Sequence, residues 1–357
     1  MNSPSGLHRF QITTGSRLHF GLYRFAPKLQ PAPAKLDSLI HPPDLSVRSG
    51  SEAWFGGVGL MIQEPSTCLE FEPNHRLDIQ NDTTGRVMSF VERWFRWMRE
   101  TDSHELASFG TPTELPLRLT VRASPPQHCG LGAGTQLALA TGQGLSRFFL
   151  TTELAPEELA RSVGRGLRSA VGTHGFFRGG LIVDRGKYDV NHLGVLDGAF
   201  RLPTEWRIVL MMHRNSSSIH GSRELQAFDV LPEIPREITQ RLQQLSRDAI
   251  VPSLLAADFD TFSESIYEYG VTAGHCFSKI QGGPFASARA QSWVEQLRNW
   301  GFRGVGQSSW GPTLFCFTKN SEHANFLVAK MSPSLQESSE SVIVTQPQVG
   351  PYQIRPL

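Results

Sequence analysis

Between residues 17 and 22 polar and apolar positions alternate: Arg17, His19 and Gly21 fall on one side of an extended chain, Leu18, Phe20 and Leu22 on the other. This pattern predicts a half-buried strand whose second face carries two cationic or hydrogen-bonding groups. The next stretch, about residues 26–52, is proline-rich and lacks any period, so it is expected to run over the surface. Strand signals resume in "WFGGVGLMI" and "CLEFEP", and "VMSFVERWFRWMRE" then places apolar residues at helical spacing. "LPLRLTVRA" alternates again and leads straight into "PPQHCGLGAGTQ". Two helical patterns follow, "TQLALATGQGLSRFF" and "APEELARSVGRGL", the second with Pro156 near its start. A second glycine-rich stretch, "VGTHGFFRGG", is read as a loop before the strand "LIVDRG".

Beyond residue 203 the pattern changes. A strand in "EWRIVLMMHR" precedes a region dominated by helices, and "PTLFCFT" and "ESVIVTQP" enclose a further helix around "HANFLVAKM". The order predicts a layer of helices on a small antiparallel sheet. The expected architecture is α+β with two domains, residues 1–203 and 204–357. No internal repeat is visible.

Composition narrows the function classes. With 39% hydrophobic and 19% charged residues and a formal charge of +1, nothing pulls the chain toward nucleic acid or a membrane surface. No apolar run approaches the length of a membrane helix, and the N-terminus has no signal-peptide core, so a cytoplasmic location is expected. Cys68, Cys129, Cys276 and Cys316 are scattered without a C-x-x-C pair, which argues against a structural metal or a disulfide framework.

The candidate chemistry lies in the glycine loop. A strand ending in "PPQHCGLGAGTQ" and passing into a helix exposes consecutive backbone N–H groups at a helix N-terminus, a setting suited to phosphate or diphosphate. Close packing of the helix through small residues is the other reading. No Lys follows the last glycine, so the loop is not a Walker A motif, and the strict alternation of Gly130, Gly132 and Gly134 does not match G-x-G-x-x-G.

The pattern P-x-x-x-G-L-G-x-G between strand and helix resembles the phosphate loop of the GHMP superfamily of small-molecule kinases. The ordered blocks "SRLHFGL", "FGGVGLMI", "GLGAGTQLALA", "RGGLIVD", "HGSRELQAF" and "GQSSWGPTLFCF", spread from residue 16 to residue 317, resemble its β-ribofuranosylaminobenzene 5'-phosphate synthase branch. The resemblance implies a GHMP-kinase-like two-domain fold, an N-terminal phosphate-loop domain and a C-terminal ferredoxin-like domain. It also implies a decarboxylating phosphoribosyltransferase. Such an enzyme condenses phosphoribosyl diphosphate with 4-hydroxybenzoate or 4-aminobenzoate, releases diphosphate and CO2, and serves an early step of methanopterin biosynthesis. A homodimer is a further implication. Mg2+ is expected as the complex with the diphosphate substrate. Ala133 stands where GHMP kinases usually have Ser, and the second glycine stretch holds no Asp, so the transferase is favoured. An ATP-dependent small-molecule kinase and a non-catalytic phosphometabolite-binding protein are the alternatives.

Roles follow from this reading. Gly130, Leu131, Gly132, Ala133, Gly134 and Thr135 are expected to hold the diphosphate, with Gln136 orienting it. Arg17 and His19 are candidates for phosphate or carboxylate binding, although a surface ion pair explains Arg17 as well. His174 and Arg178 are candidates for acid–base or charge-stabilising work. Gly56, Gly57, Arg214, His220, Arg223, Ser308, Ser309, Trp310 and Gly311 are candidates for substrate binding. Trp310, Phe176 and Phe177 either stack on an aromatic acceptor or belong to the core. Asp184, at a strand end, is either a metal ligand or a cap.

Overall fold

A computed structural model describes residues 9–23, 53–101, 106, 108–150, 152–189, 191–213, 231, 233–336 and 340–357. The expected proline-rich excursion and Arg214, His220 and Arg223 lie outside the described residues. The strands are β1 (Phe10–Leu22), β2 (Gly57–Pro73), β3 (Asp78–Gln80), β4 (Leu117–Ala123), β5 (Leu181–Gly186), β6 (Val195–Phe200), β7 (Arg207–His213), β8 (Val305–Gln307), β9 (Leu314–Thr318), β10 (Glu340–Thr345) and β11 (Gln353–Pro356). The helices are α1 (Val87–Glu100), α2 (Ala133–Leu150), α3 (Pro156–Ser162), α4 (Val171–Arg178), α5 (Arg236–Gln244), α6 (Val251–Leu255), α7 (Phe259–His275), α8 (Ser278–Gln281), α9 (Ala288–Asn299) and α10 (Ser321–Gln336), with a π-helical turn at Leu245–Ile250.

Among the described residues two sheets form. The first runs β11-β1-β2-β4-β3, with β5 pairing to β2 and β6 to β5; the second runs β10-β7-β9-β8. Both are antiparallel except for the β3–β4 pair. The helical periodicity of α1 is realised: Val87, Phe90, Val91, Trp94, Phe95 and Met98 are buried on one face, and Trp94 Nε1 donates to Ser146 Oγ of α2 at 2.9 Å. One core lies under the first sheet and is built from α1, α2 and the strands, whereas a second joins the sheets, with Leu18, Phe20, Leu60, Leu210, Phe262 and Phe315 among its members. Gly144 sits mid-helix in α2 because a Cβ there would fall 2.1 Å from the ring of Phe71.

Four sequence expectations are altered. "WFGGVGLMI" and "CLEFEP" supply parts of one 17-residue strand, β2, rather than two. The second glycine stretch is a helix, α4, because burial of residues 171–176 against β2 and α2 outweighs the low helix propensity of its glycines. Short strands β3, β6 and β8 carried too little pattern to be read. The C-terminal tail does not stay with the second sheet: β11 pairs with β1, from Phe10 opposite Pro356 to Thr13 opposite Gln353. Residues 201–206 link the first sheet to the second. No helix among the described residues is long and apolar enough to cross a membrane.

Candidate active site

The glycine loop joins β4 to α2 and is anchored from below. Cys129 and Leu131 are 7% and 1% exposed and enter the core between the sheets, which pins the loop on both sides of Gly130. Gly130 and Gly132 have φ of +84° and +70°, in the left-handed region that favours glycine. The amides of Thr135 and Gln136 return to Gly132 O at 2.9 and 3.1 Å and close the first turn of α2. Ala133 and Gly134 are then left at the open end of the helix, where amides have no intrahelical acceptor.

The alternation of the three glycines has a steric cause, since each meets a different neighbour. A Cβ on Gly130 would lie 2.3 Å from Ser308 O, one on Gly132 would lie 3.2 Å from Arg17 Nε, and one on Gly134 would lie 2.6 Å from Arg86 Nη1. Arg17 is tied to the loop through its own amide, which donates to Leu131 O at 2.9 Å, and through Nη1, 3.4 Å from Gly130 O. Ser308 ties the loop to the second sheet: its hydroxyl donates to Gly130 O at 2.7 Å and accepts from the His19 amide at 3.0 Å. Ser309, at φ +56°, donates its amide to His19 O at 2.9 Å, and Gly311 turns the chain back, its amide donating to Ser308 O at 2.9 Å. Arg17, His19, the loop, Ser308, Ser309 and Gly311 therefore lie together in one contiguous group.

His19 is buried, and burial holds its imidazole well below the usual histidine range, reinforced by Arg17 and Arg168. Its Nδ1 accepts from the Gly21 amide at 3.2 Å, so the proton sits on Nε2, which donates to Ser169 Oγ at 3.0 Å. Ser169 in turn donates to Asp184 Oδ2 at 3.2 Å. Asp184 is fully buried and also accepts from the amides of Ala170 at 2.7 Å and Gly186 at 2.9 Å; burial nevertheless raises its carboxyl to about 7. This chain fixes the ring of His19 with both nitrogens engaged. Asp184 is thus part of the support of His19 and a cap for the start of α4. Gly56 and Gly57 stand behind this group: a Cβ on Gly57 would lie 3.2 Å from His19 Cε1, and one on Gly56 would lie 2.7 Å from Asp184 O. Their place is in the support of His19.

Several expected residues are used elsewhere. Gln136 is fully buried, accepting from Thr14 Oγ1 at 3.1 Å and donating to Gly172 O at 3.0 Å, so it joins β1, α2 and α4 and does not reach a ligand on the loop. His174 is buried in α4, its Nε2 2.6 Å from Gly194 O, and burial lowers its pKa. Arg178 is exposed at the last residue of α4, whereas Gly172, near the first, lies against Thr135. Neither residue joins the centre. Phe176 is core, stacked on Tyr352 with centroids 4.2 Å apart, and Phe177 meets the same ring edge-on. Trp310 packs edge-on against Phe277, with centroids 4.7 Å apart, in a small cluster with Phe55 and Ile234.

Other cations near the loop were not singled out from the sequence. Arg86 borders Gly134; Arg165 and Arg168, in the link from α3 to α4, neighbour Arg86 and His19 respectively. The only signal of Arg165 and Arg168 was the basic spacing in "VGRGLRS", which also reads as a solvated helix end. The centre is a glycine loop at the start of α2 with the guanidinium groups of Arg17 and Arg86 against it. Among the described residues no group of three or more His, Cys, Asp or Glu side chains is placed to hold a metal ion.

A glycine loop of this build beside two such sheets is the architecture of the GHMP-kinase fold. Residues 93–177 match the GHMP kinases N terminal domain. The homoserine kinase of Cytophaga hutchinsonii superimposes with a TM-score of 0.62 at 12% identity, covering 99% of this chain and 100% of that one. Within that fold the sequence is similar to a narrower group. The Beta-ribofuranosylphenol 5'-phosphate synthase of Methanothermobacter thermautotrophicus is 27% identical over 275 residues, 74% of this chain and 81% of that protein. The protein of the same name from Archaeoglobus fulgidus is 26% identical over 277 residues, 74% of this chain and 80% of its own. The resemblance read from the ordered sequence blocks is borne out by both, and so is the expected fold.

Proposed function

We propose that this protein is a pentosyltransferase that joins phosphoribosyl diphosphate to 4-hydroxybenzoate or 4-aminobenzoate, with release of diphosphate and CO2. The observation that carries this reading is the composition of the loop's surroundings: arginines border it, and α4 presents Gly172, not a carboxylate, to Thr135. A kinase needs a group to take the proton of its accepting hydroxyl. The proposed reaction does not. The anomeric C–O bond breaks and the diphosphate leaves with the electron pair, giving an oxocarbenium-like ribose. The ring carbon bearing the carboxylate attacks C1; the C–COO bond then breaks, and its electrons restore the aromatic ring as CO2 departs. No proton is lost in forming the C–C bond.

The protein's part is to hold and neutralise charge. The amides at the start of α2 and the Arg17 guanidinium receive the diphosphate as negative charge develops on it, and Mg2+ enters with that group as part of the substrate. Neutral His19, fixed by Ser169 and Asp184, keeps β1 in place beside the loop. The similarity to the Beta-ribofuranosylphenol 5'-phosphate synthases of the two archaea supports the reading further. The test is diphosphate and CO2 release by the purified protein with phosphoribosyl diphosphate, Mg2+ and each benzoate in turn. Equal release of both products with one benzoate is expected. ATP consumption with neither release would assign the loop to a kinase.

A further inference from the structure

We propose that Arg86 and Arg165 form a second phosphoryl subsite, which takes the phosphate monoester end of a phosphosugar whose diphosphate lies on the glycine loop. The proposal rests on the transferase reading and adds to it where the other end of the donor is held.

The two arginines come from separate elements and converge. Arg86 immediately precedes α1, and Arg165 lies in the link between α3 and α4. Their guanidinium carbons stand 5.5 and 5.1 Å from the centroid of the same ring, Phe90. Arg93, two turns into α1, lies against Gly164, adjacent to Arg165. Arginines so close repel one another unless an anion joins them. Asp82 acts on Arg86, but the charges acting on Arg165 are Arg86, Arg93 and Arg168, all cations. Arg165 Nε is also buried with no hydrogen-bond partner. A structural arginine at such a site would be paired, because an unmatched buried charge is costly. Burial and the three cations push its pKa down to about 10.

The position fixes which anion belongs there. Along the loop, Gly130 meets Ser308, Gly132 meets Arg17 and Gly134 meets Arg86, so the arginine pair lies past the helix end of the cradle. Arg168 neighbours both His19 and Arg165 and continues the positive field from one to the other. A ligand with a single anionic group would be served by the loop alone, whereas phosphoribosyl diphosphate has two. A phosphate monoester near charge −2 offers equivalent oxygens for two guanidinium forks.

The experiment is calorimetric titration of ribose 5-phosphate, and separately of diphosphate with Mg2+, into wild type, Arg165→Met and Arg86→Met, with thermal melts to verify folding. Arg165→Met is expected to weaken ribose 5-phosphate by roughly tenfold to a hundredfold and diphosphate by about threefold at most, whereas Arg86→Met, whose guanidinium also borders Gly134, is expected to weaken both. Unchanged ribose 5-phosphate affinity in a folded variant overturns the proposal. So does a selective loss of diphosphate, or a wild type that binds diphosphate and ignores ribose 5-phosphate. If Arg165→Met does not fold, Arg86→Met carries the test. Binding of both ligands as expected, with no product from either benzoate, would leave the subsite standing and sink the transferase reading.

Discussion

Ser308 Oγ donates to Gly130 O at 2.7 Å, and through that bond the second sheet holds the glycine loop of the first. The same oxygen accepts from the His19 amide, so one hydroxyl joins β1, the loop and the turn before β9. Ser308→Ala removes both bonds at a fully buried position. A loss of about 1–3 kcal/mol in urea unfolding is expected, together with weaker diphosphate binding. Stability and affinity both equal to wild type would show that the loop is held by other means.

Gly132→Val introduces a β-branched side chain at φ +70° and against Arg17. Backbone strain of about 1–3 kcal/mol is within what a chain of this size tolerates, but the cradle cannot keep its shape. Diphosphate binding should be abolished while the far-ultraviolet circular dichroism stays close to wild type. Undiminished affinity in a titration would remove the loop from the binding site.

Gln136 separates a structural role from a binding one. Gln136→Leu leaves Thr14 Oγ1 and Gly172 O without their buried partner and should lower stability by about 2–4 kcal/mol. In the folded variant, diphosphate affinity should remain within about twofold of wild type, allowing for the indirect coupling expected of a residue in α2. A large affinity loss at unchanged stability would return Gln136 to the ligand.

Asp184 sets a pH signature. Its carboxyl moves from 3.8 to about 7 on burial, so between those values the folded protein retains a proton that the unfolded chain has released. The resulting stabilisation is complete below about pH 4 and is lost as pH rises through about 7. Asp184→Asn cannot titrate. The stability of wild type relative to the variant should fall between pH 4.5 and pH 7.5, roughly, in paired urea titrations. His19 and His174, whose lowered pKa values have the opposite effect on falling pH, are common to both proteins. A difference that does not change with pH would show that Asp184 is ionised throughout.

Much of this centre was legible in the sequence because its signals are local. The alternation around Arg17 and His19 placed them on one strand face, and the glycines after a strand placed the loop at the start of α2. What was not legible depends on distance along the chain. Nothing near Gln136 marks it as the partner of Thr14 and Gly172, and nothing near His174 shows that its ring turns to Gly194. The glycines of α4 suggested a loop because their purpose, close contact with Thr135 and Met61, is tertiary. Arg86 and Arg165 lie 79 positions apart in the chain, and each alone resembles an ordinary surface cation.

The pairing of β11 with β1 bears on how the protein comes to exist. The strand that carries Arg17 and His19 is flanked on one side by β2 and on the other by residues 353–356, and Ser308 reaches the loop from the second sheet. Contacts this remote form late, because the intervening chain must be ordered first. During synthesis, therefore, a nascent chain that has already built α1, β4 and α2 would still lack the Ser308 contact that holds the glycine loop. On the proposed reading, the loop takes its ligand only after the second sheet has docked, so binding follows folding and does not nucleate it.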